Sequence, residues 1–184
     1  FAMYLLVSLI GAADTVILGS RAHAEKNRLE DGQFTVFVPL TDRERSELAT
    51  QGVTVEVMFY LDYERDNGSV LRVFRLRREI DLAEFETGTM PAGTQEIELE
   101  KRYCEANGLR VGDTITLAGE TLTVSGIVTS PDYDTPFRSM GDSTVDSANF
   151  GTAFVTDAVY EYLQESDSAL QAEEYLYAYR LDGN

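Results

Sequence analysis

One histidine and one cysteine occur in 184 residues, and these two scarcities close off most chemistry before any motif is sought. His23 is the one side chain whose unperturbed pKa lies near neutrality. It sits between Ala22 and Ala24 in the polar stretch SRAHAEKN, where a solvent-facing helical role suits it. A Ser-His-Asp triad would have to use it, and the chain has no Gly-x-Ser-x-Gly elbow. Gly141-Asp142-Ser143 matches the start of a GDS-type esterase signature, but it continues as Thr144 and has no second histidine to partner it. Cys104 has no intramolecular disulfide partner and reads as a small buried apolar residue. One Cys and one His make no zinc site unless carboxylates supply most of the ligands. Walker A and Gly-rich dinucleotide turns are also absent. No catalytic, cofactor-binding or metal-ligating residue is assigned.

Positive charge is scarce too. Fifteen basic residues stand against 32 acidic ones, a net charge of −17, so phosphate backbones and anionic headgroups are repelled and nucleic acid is excluded as a partner. Between Tyr103 and Tyr179 only Arg110 and Arg138 offset a long series of Asp and Glu. That stretch is either a solvated acidic face or a surface for cations or basic peptides. With 43% apolar and 26% charged residues, and only 14 Gly and 4 Pro, the composition is that of a folded domain and not of a disordered chain.

Long apolar runs are missing as well. Phe1 to Ala13, FAMYLLVSLIGAA, carries no charge but falls short of the roughly 20 residues a spanning helix needs. No basic segment precedes it, so it makes a poor signal peptide. It is either the outer end of a membrane helix or an amphipathic helix that packs on the domain or a partner. We expect a helix over about residues 2–27, membrane-proximal in its first half, and a folded domain over 28–184.

What is present is mostly strand. Gln33 to Val38 is Phe- and Val-rich and is ended by Pro39. Thr41-Asp-Arg-Glu44 forms a capping box that opens a helix reaching Thr50. From Val53 to Glu64 apolar and polar residues alternate, which predicts one long strand. Asp66-Asn67-Gly68 predicts a two-residue hairpin turn, with Val70 to Leu76 returning antiparallel. Arg72, Arg75, Arg77 and Arg78 lie on or just past that return. They either pair across the hairpin with Glu56, Asp62 and Glu64 or form an anion- or partner-binding patch. Asp81 to Glu86 is expected to form a helical turn. Gly151 to Val155 reads as a strand, Thr156 as the cap of a helix to about Gln164, and the final strand lines up Tyr175, Tyr177, Tyr179 and Leu181 on one face. Half-buried packing is the expected use of that tyrosine stripe.

Gln95 to Val128, QEIELEKRYCEANGLRVGDTITLAGETLTVSGIV, is the most specific stretch. It predicts a strand, a short helix stopped at Asn107-Gly108-Leu109 in a Schellman-like turn, a Val111-Gly112-Asp113 turn, and two strands about Gly119. The stretch resembles part of the extracytoplasmic domain of ABC-transporter permeases of the FtsX-like, or MacB-like, family. The likeness extends over about Gly88 to Leu163, including Ser130-Pro-Asp-Tyr133 and Phe150 to Val155. It implies an α+β fold in which a mixed α/β portion with an antiparallel hairpin carries a smaller β-rich subdomain at about 88–130. It also implies a non-catalytic part at the outer face of the cell membrane. A separate cytoplasmic ABC ATPase subunit would act through the rest of the permease, and the domain would relay that motion to export, release or regulate something outside. The chain departs from the family in lacking the remaining membrane helices, so transport by this piece alone is not expected.

An extracellular binding module for a peptide or a cell-wall-associated protein is the alternative, and an acidic secreted hydrolase is a third. Ser130 to Asn149 has no sustained period, and structureless stretches of that length are usually functional. Tyr133, Phe137 and Arg138 are its candidate partner-binding residues. Asp132, Asp134, Asp142 and Asp146 are oxygen donors suited to calcium, but their spacing is not that of an EF-hand.

Overall fold

The computed structural model describes residues 24–133, 146–166, 168–171 and 173–183. The expected N-terminal helix therefore falls almost wholly outside the described residues, as do His23, Gly141 to Ser143, Asp134, Asp142, Phe137 and Arg138. No helix among the described residues is long and apolar enough to cross a membrane.

The architecture is α+β, built on two sheets. The first is three-stranded and antiparallel, with β1 (Gly32–Val36) and β2 (Val53–Val57) on either side of β10 (Tyr175–Leu181). Helix α1 (Asp42–Thr50) joins β1 to β2. It opens with the expected capping box, in which the Glu44 carboxylate accepts from the Thr41 N–H at 2.8 Å and the Glu44 N–H donates to the Thr41 hydroxyl.

The second sheet has seven strands and is mixed. Its order is β3 (Tyr60–Glu64), β4 (Val70–Arg75), β9 (Phe150–Val155), β6 (Glu96–Glu100), β8 (Glu120–Thr129) and β5 (Glu84–Gly88). β7 (Thr114–Leu117) pairs with the first half of β8, and β5 pairs with its second half. Ten residues long, β8 thus carries β6 along one edge and two shorter strands along the other. The β-rich segment at 88–130 joins the rest of the sheet through the antiparallel pairing of β6 with β9.

Gln95 to Val128 folds as its sequence predicts. β6 leads into α2 (Lys101–Asn107), whose C-cap Gly108 is left-handed at φ 67°, and the Leu109 N–H closes on the Cys104 carbonyl. Cys104 is buried, and burial pushes its thiol up to about 12, with Glu100 and Glu105 adding to the effect. It behaves as an inert apolar residue.

The main core lies on one face of the second sheet. Leu71, Val73, Ile97, Leu99, Val124 and Ala153 meet Tyr103 of α2 and Val159, Tyr160 and Leu163 of α3 (Asp157–Glu165). Tyr160 is wholly buried, and its hydroxyl donates to Glu173 at 2.6 Å. The tyrosine stripe of β10 packs as expected. Tyr177 is 1% exposed, stacks on Phe34, meets Phe59 edge-on and accepts the Leu40 N–H at 2.9 Å.

Three local expectations are corrected. Val53 to Glu64 is two strands, because the chain leaves the first sheet and enters the second at Met58-Phe59. Val57 pairs with Tyr177 and Tyr60 with Phe74, while Met58 is buried against Ile80 and Ala178. The turn at Asp66-Asn67-Gly68 holds three residues, not two. Arg65 donates to the Ser69 carbonyl, and Gly68 at φ 80° donates back to Arg65, a turn closed by a left-handed glycine. Asp81 to Glu86 is no helical turn. Asp81 takes φ 51°, its amide and that of Leu82 bond to Arg28 and Asn27, and β5 begins at Glu84.

Gly151 is where α2 presses closest to the sheet. A Cβ there would lie 2.4 Å from the Tyr103 ring, a ring held by hydroxyl bonds to Arg65 at 2.6 Å and Ser69 at 2.7 Å. Gly151→Ala is expected to destabilise the fold by about 1–3 kcal/mol. A urea midpoint equal to that of the wild type would show that α2 is free to move away.

Candidate functional site

Opposite the main core, the second sheet carries a face built from charged and aromatic side chains. Register creates it. On β4 Leu71 and Val73 point into the core, so Arg72 and Phe74 point away from it. Phe74 sits beside Phe154 of β9, and Phe154 opposite Glu98 of β6. Phe74 and Phe154 stack at 5.6 Å between centroids.

Two guanidiniums lie against aromatic rings of this face. Arg72 forms a two-pronged pair with Asp62 across the hairpin, at 2.9 and 3.0 Å, and rests 4.0 Å from the Tyr60 ring centre and 5.3 Å from that of Phe150. Arg77, on the segment after β4, lies 5.0 Å from both Phe74 and Phe154. Its side chain is 2% exposed. Nη1 donates to the Asp132 carboxylate at 2.6 Å, the Ser130 hydroxyl at 3.1 Å and the Asp81 carbonyl at 3.3 Å. Arg77 thereby fixes Ser130 to Asp132, where the chain leaves β8 through a turn at Pro131–Tyr133.

Carboxyl groups outnumber this cation. Asp81 is fully buried, with Oδ1 accepting the Glu30 N–H at 3.1 Å. Burial pushes its pKa up to about 7, the Asp132 charge adds to the rise and Arg77 opposes it. Glu98 is 2% exposed, and its Oε2 has no hydrogen-bond partner. Burial raises it to about 7 against the pull of Arg77. Glu30 moves upward as well, again chiefly through burial. A cavity of about 260 Å³ opens beside Glu98, lined by Leu76, Leu82, Ala83, Phe85, Met90 and Phe154 together with Arg77 and Arg78.

The four sequence-predicted arginines do not form one patch. Arg72 pairs across the hairpin as expected. Arg75 and Arg78 reach Asp157, with Arg75 also at Glu161, and Arg77 turns inward. Glu56, one of the expected cross-strand partners, accepts the backbone amides of Arg78, Glu79 and Ile80 instead. Tyr133 falls at the end of the short turn that Arg77 anchors. Asp132 is taken up by Arg77 and Ser130, and Asp146 caps its own turn through Asn149. Among the described residues no group of His, Cys, Asp and Glu could hold a metal ion. Glu98, Asp81 and Glu30 were not singled out by sequence reasoning. The signal lay in Glu96-Ile-Glu-Leu-Glu100, where alternation marks two faces but does not say that both are covered.

No protein-family model matches the chain, and no curated protein matches it. Solved structures do. The extracellular domain of the noncanonical ABC-type transporter YknZ from Gram-positive bacteria is similar at 11% identity and a TM-score of 0.46, over 83% of this chain and 84% of that one. The periplasmic region of MacB from Actinobacillus actinomycetemcomitans is similar at 10% identity and a TM-score of 0.42, over 85% and 78%.

Asp81 and Glu98 have higher pKa values folded than unfolded, so the native state holds protons that the unfolded chain has shed. Their stabilising contribution is complete below about pH 4 and is lost as pH rises through about 7. Glu98→Gln removes one such penalty. The variant is expected to match the wild type near pH 4 and to exceed it by on the order of 3 kcal/mol at pH 8. Urea denaturation at both pH values checks this; a pH-independent difference would remove Glu98 from the account.

Proposed function

We propose that this chain is the extracytoplasmic domain of an ABC transporter permease of the FtsX-like, MacB-like type, in which an N-terminal helix at 1–27 leads from the membrane into the domain at 28–184. The reading assigns no catalysis to the domain. ATP hydrolysis belongs to a separate cytoplasmic subunit, and the domain transmits the resulting motion to a substrate or partner at the outer face of the membrane.

The observation that carries this reading is the pairing of the first and last strands. β1 and β10 run antiparallel side by side. The Asp31 N–H donates to the Tyr179 carbonyl at 2.9 Å, and the Leu181 N–H donates to the Asp31 carboxylate at 2.7 Å. The chain therefore comes in and goes out at one end of one sheet, as an insertion between two membrane helices requires. Motion of those helices would pull on neighbouring strands. The three-stranded sheet would pass the displacement on through Glu56, which holds the 78–80 backbone, and through Met58, Ile80 and Ala178.

A second reading, an extracellular binding module, is favoured by Phe37 and Val38. They are 102% and 73% exposed and lie at the end of β1 away from Asp31. Capture of a peptide or wall-associated protein would use such a tip, or Tyr133, Phe137 and Arg138.

The two readings separate in hydrogen exchange on the intact parent permease, reconstituted in lipid with its ATPase subunit. The relay predicts that amides of β1, β10 and 76–82 change protection between ATP- and ADP-bound states. Identical protection in both would reject it. For Tyr133 and Phe137, joint replacement by Ala is expected to keep the fold and weaken partner capture by about tenfold or more; unfolding would make them core.

A further inference from the structure

We propose that the cavity floored by Glu98 is a binding site for an alkylammonium group, an ammonium head on an apolar stem, supplied by a lysine side chain or by a free amine.

The cavity has two chemistries. Its walls, Leu76, Leu82, Ala83, Phe85, Met90 and Phe154, are apolar, with Phe85 and Met90 at the lip, 41% and 53% exposed. Glu98 Oε2 is buried and unpaired. A carboxylate in that position costs the fold stability because no protein group donates to it in place of bulk water. An ammonium donor would supply the missing partner, and the alkyl stem would cover the apolar walls. The size agrees. About 260 Å³ lies below the usual range for drug-sized ligands, roughly 300–1,000 Å³, and suits one long side chain.

Charge selects a cation over an anion. Arg77 is the inward-facing guanidinium of the cavity, and its charge is already met by Asp132 at 2.6 Å. Arg78 is turned outward, 71% exposed and paired with Asp157. Glu98 then stands as surplus acid, with Asp81 and Glu30 also interacting with the same arginine. An anion would meet the Glu98 carboxylate, whose charge Arg77 offsets only in part. The inference is independent of the transport reading, since it concerns a pocket and not the assembly that carries it.

The experiment follows amide chemical shifts of the domain at pH 8 during titration with n-hexylammonium, with a capped Leu-Lys-Leu peptide, and with hexanesulfonate as the anionic control. Saturable shifts around 76–85, 90 and 98 are expected with at least one of the two ammonium probes and not with hexanesulfonate. Binding by the peptide alone identifies a lysine side chain as the source; binding by hexylammonium alone identifies a free amine. Glu98→Gln, which is expected to fold more stably than the wild type, should weaken binding at least tenfold. Ala83→Leu, which fills the cavity without touching charge, should weaken it similarly. The proposal is overturned if neither ammonium probe binds, if hexanesulfonate binds equally, or if Glu98→Gln binds as tightly as the wild type.

Discussion

A buried guanidinium has few places to go, and the position of Arg77 determines much of what surrounds it. Its charge is met by Asp132, its planar group lies over the stacked rings of Phe74 and Phe154, and it also bonds Ser130 and the Asp81 carbonyl. Those contacts come from three parts of the chain: residues 74–81 around the arginine itself, Ser130 to Asp132, and Phe154. Removing any one partner would leave a polar group buried without compensation, an expensive condition in a low-dielectric interior. The arginine thus forces the end of β8, the turn after β4 and the strands β4 and β9 into one arrangement. Ser130 and Asp132, just past β8, are fixed by the same constraint.

Around that constraint the two sheets become one mechanical object. Residues 76–82 carry Arg77 toward the second sheet, and they are gripped from the first by Glu56 and by the Met58, Ile80 and Ala178 cluster. The residues preceding β1 close on the same segment, with Asn27 and Arg28 accepting the amides of Leu82 and Asp81. A displacement at the ends of β1 and β10 consequently has a packed and hydrogen-bonded route to the second sheet. Packed interiors transmit strain because they have little free volume in which to absorb it. The proposed relay role would use that route. The surplus of acid along it, including the unpaired Glu98, supplies a place where a ligand could act on the same route.

The sequence made the local grammar legible where glycines and caps carry it. The Thr41 capping box, the Gly108 stop and the strands on either side of Gly119 are set by interactions within a few residues. It failed where a partner distant in sequence decides. The alternation from Val53 to Glu64 is unbroken, yet the strand divides at Met58 because the chain changes sheets there. Asp81 looked like the start of a helical turn because its ties to Asn27, Arg28 and Glu30 could not be seen. The glutamates of β6 followed a half-solvated pattern, whereas Glu98 is buried by the 76–85 segment lying over it. Burial on both faces of a sheet leaves the period of two intact, so no pattern in the text distinguishes it from exposure on one. Of the candidate partner-binding residues, Tyr133 alone falls among those described, at the end of a turn that an arginine far upstream holds.

The dependence on Arg77 is best measured by a double-mutant cycle between Arg77→Met and Asp132→Asn, read by urea denaturation at pH 8. If the pair organises this face, each single change is strongly destabilising because it strands the other charge. The double variant then recovers much of the loss, with a coupling of about 2 kcal/mol or more. Additive single effects would contradict the account, since they would mean that Arg77 and Asp132 are neighbours that neither need nor hold one another.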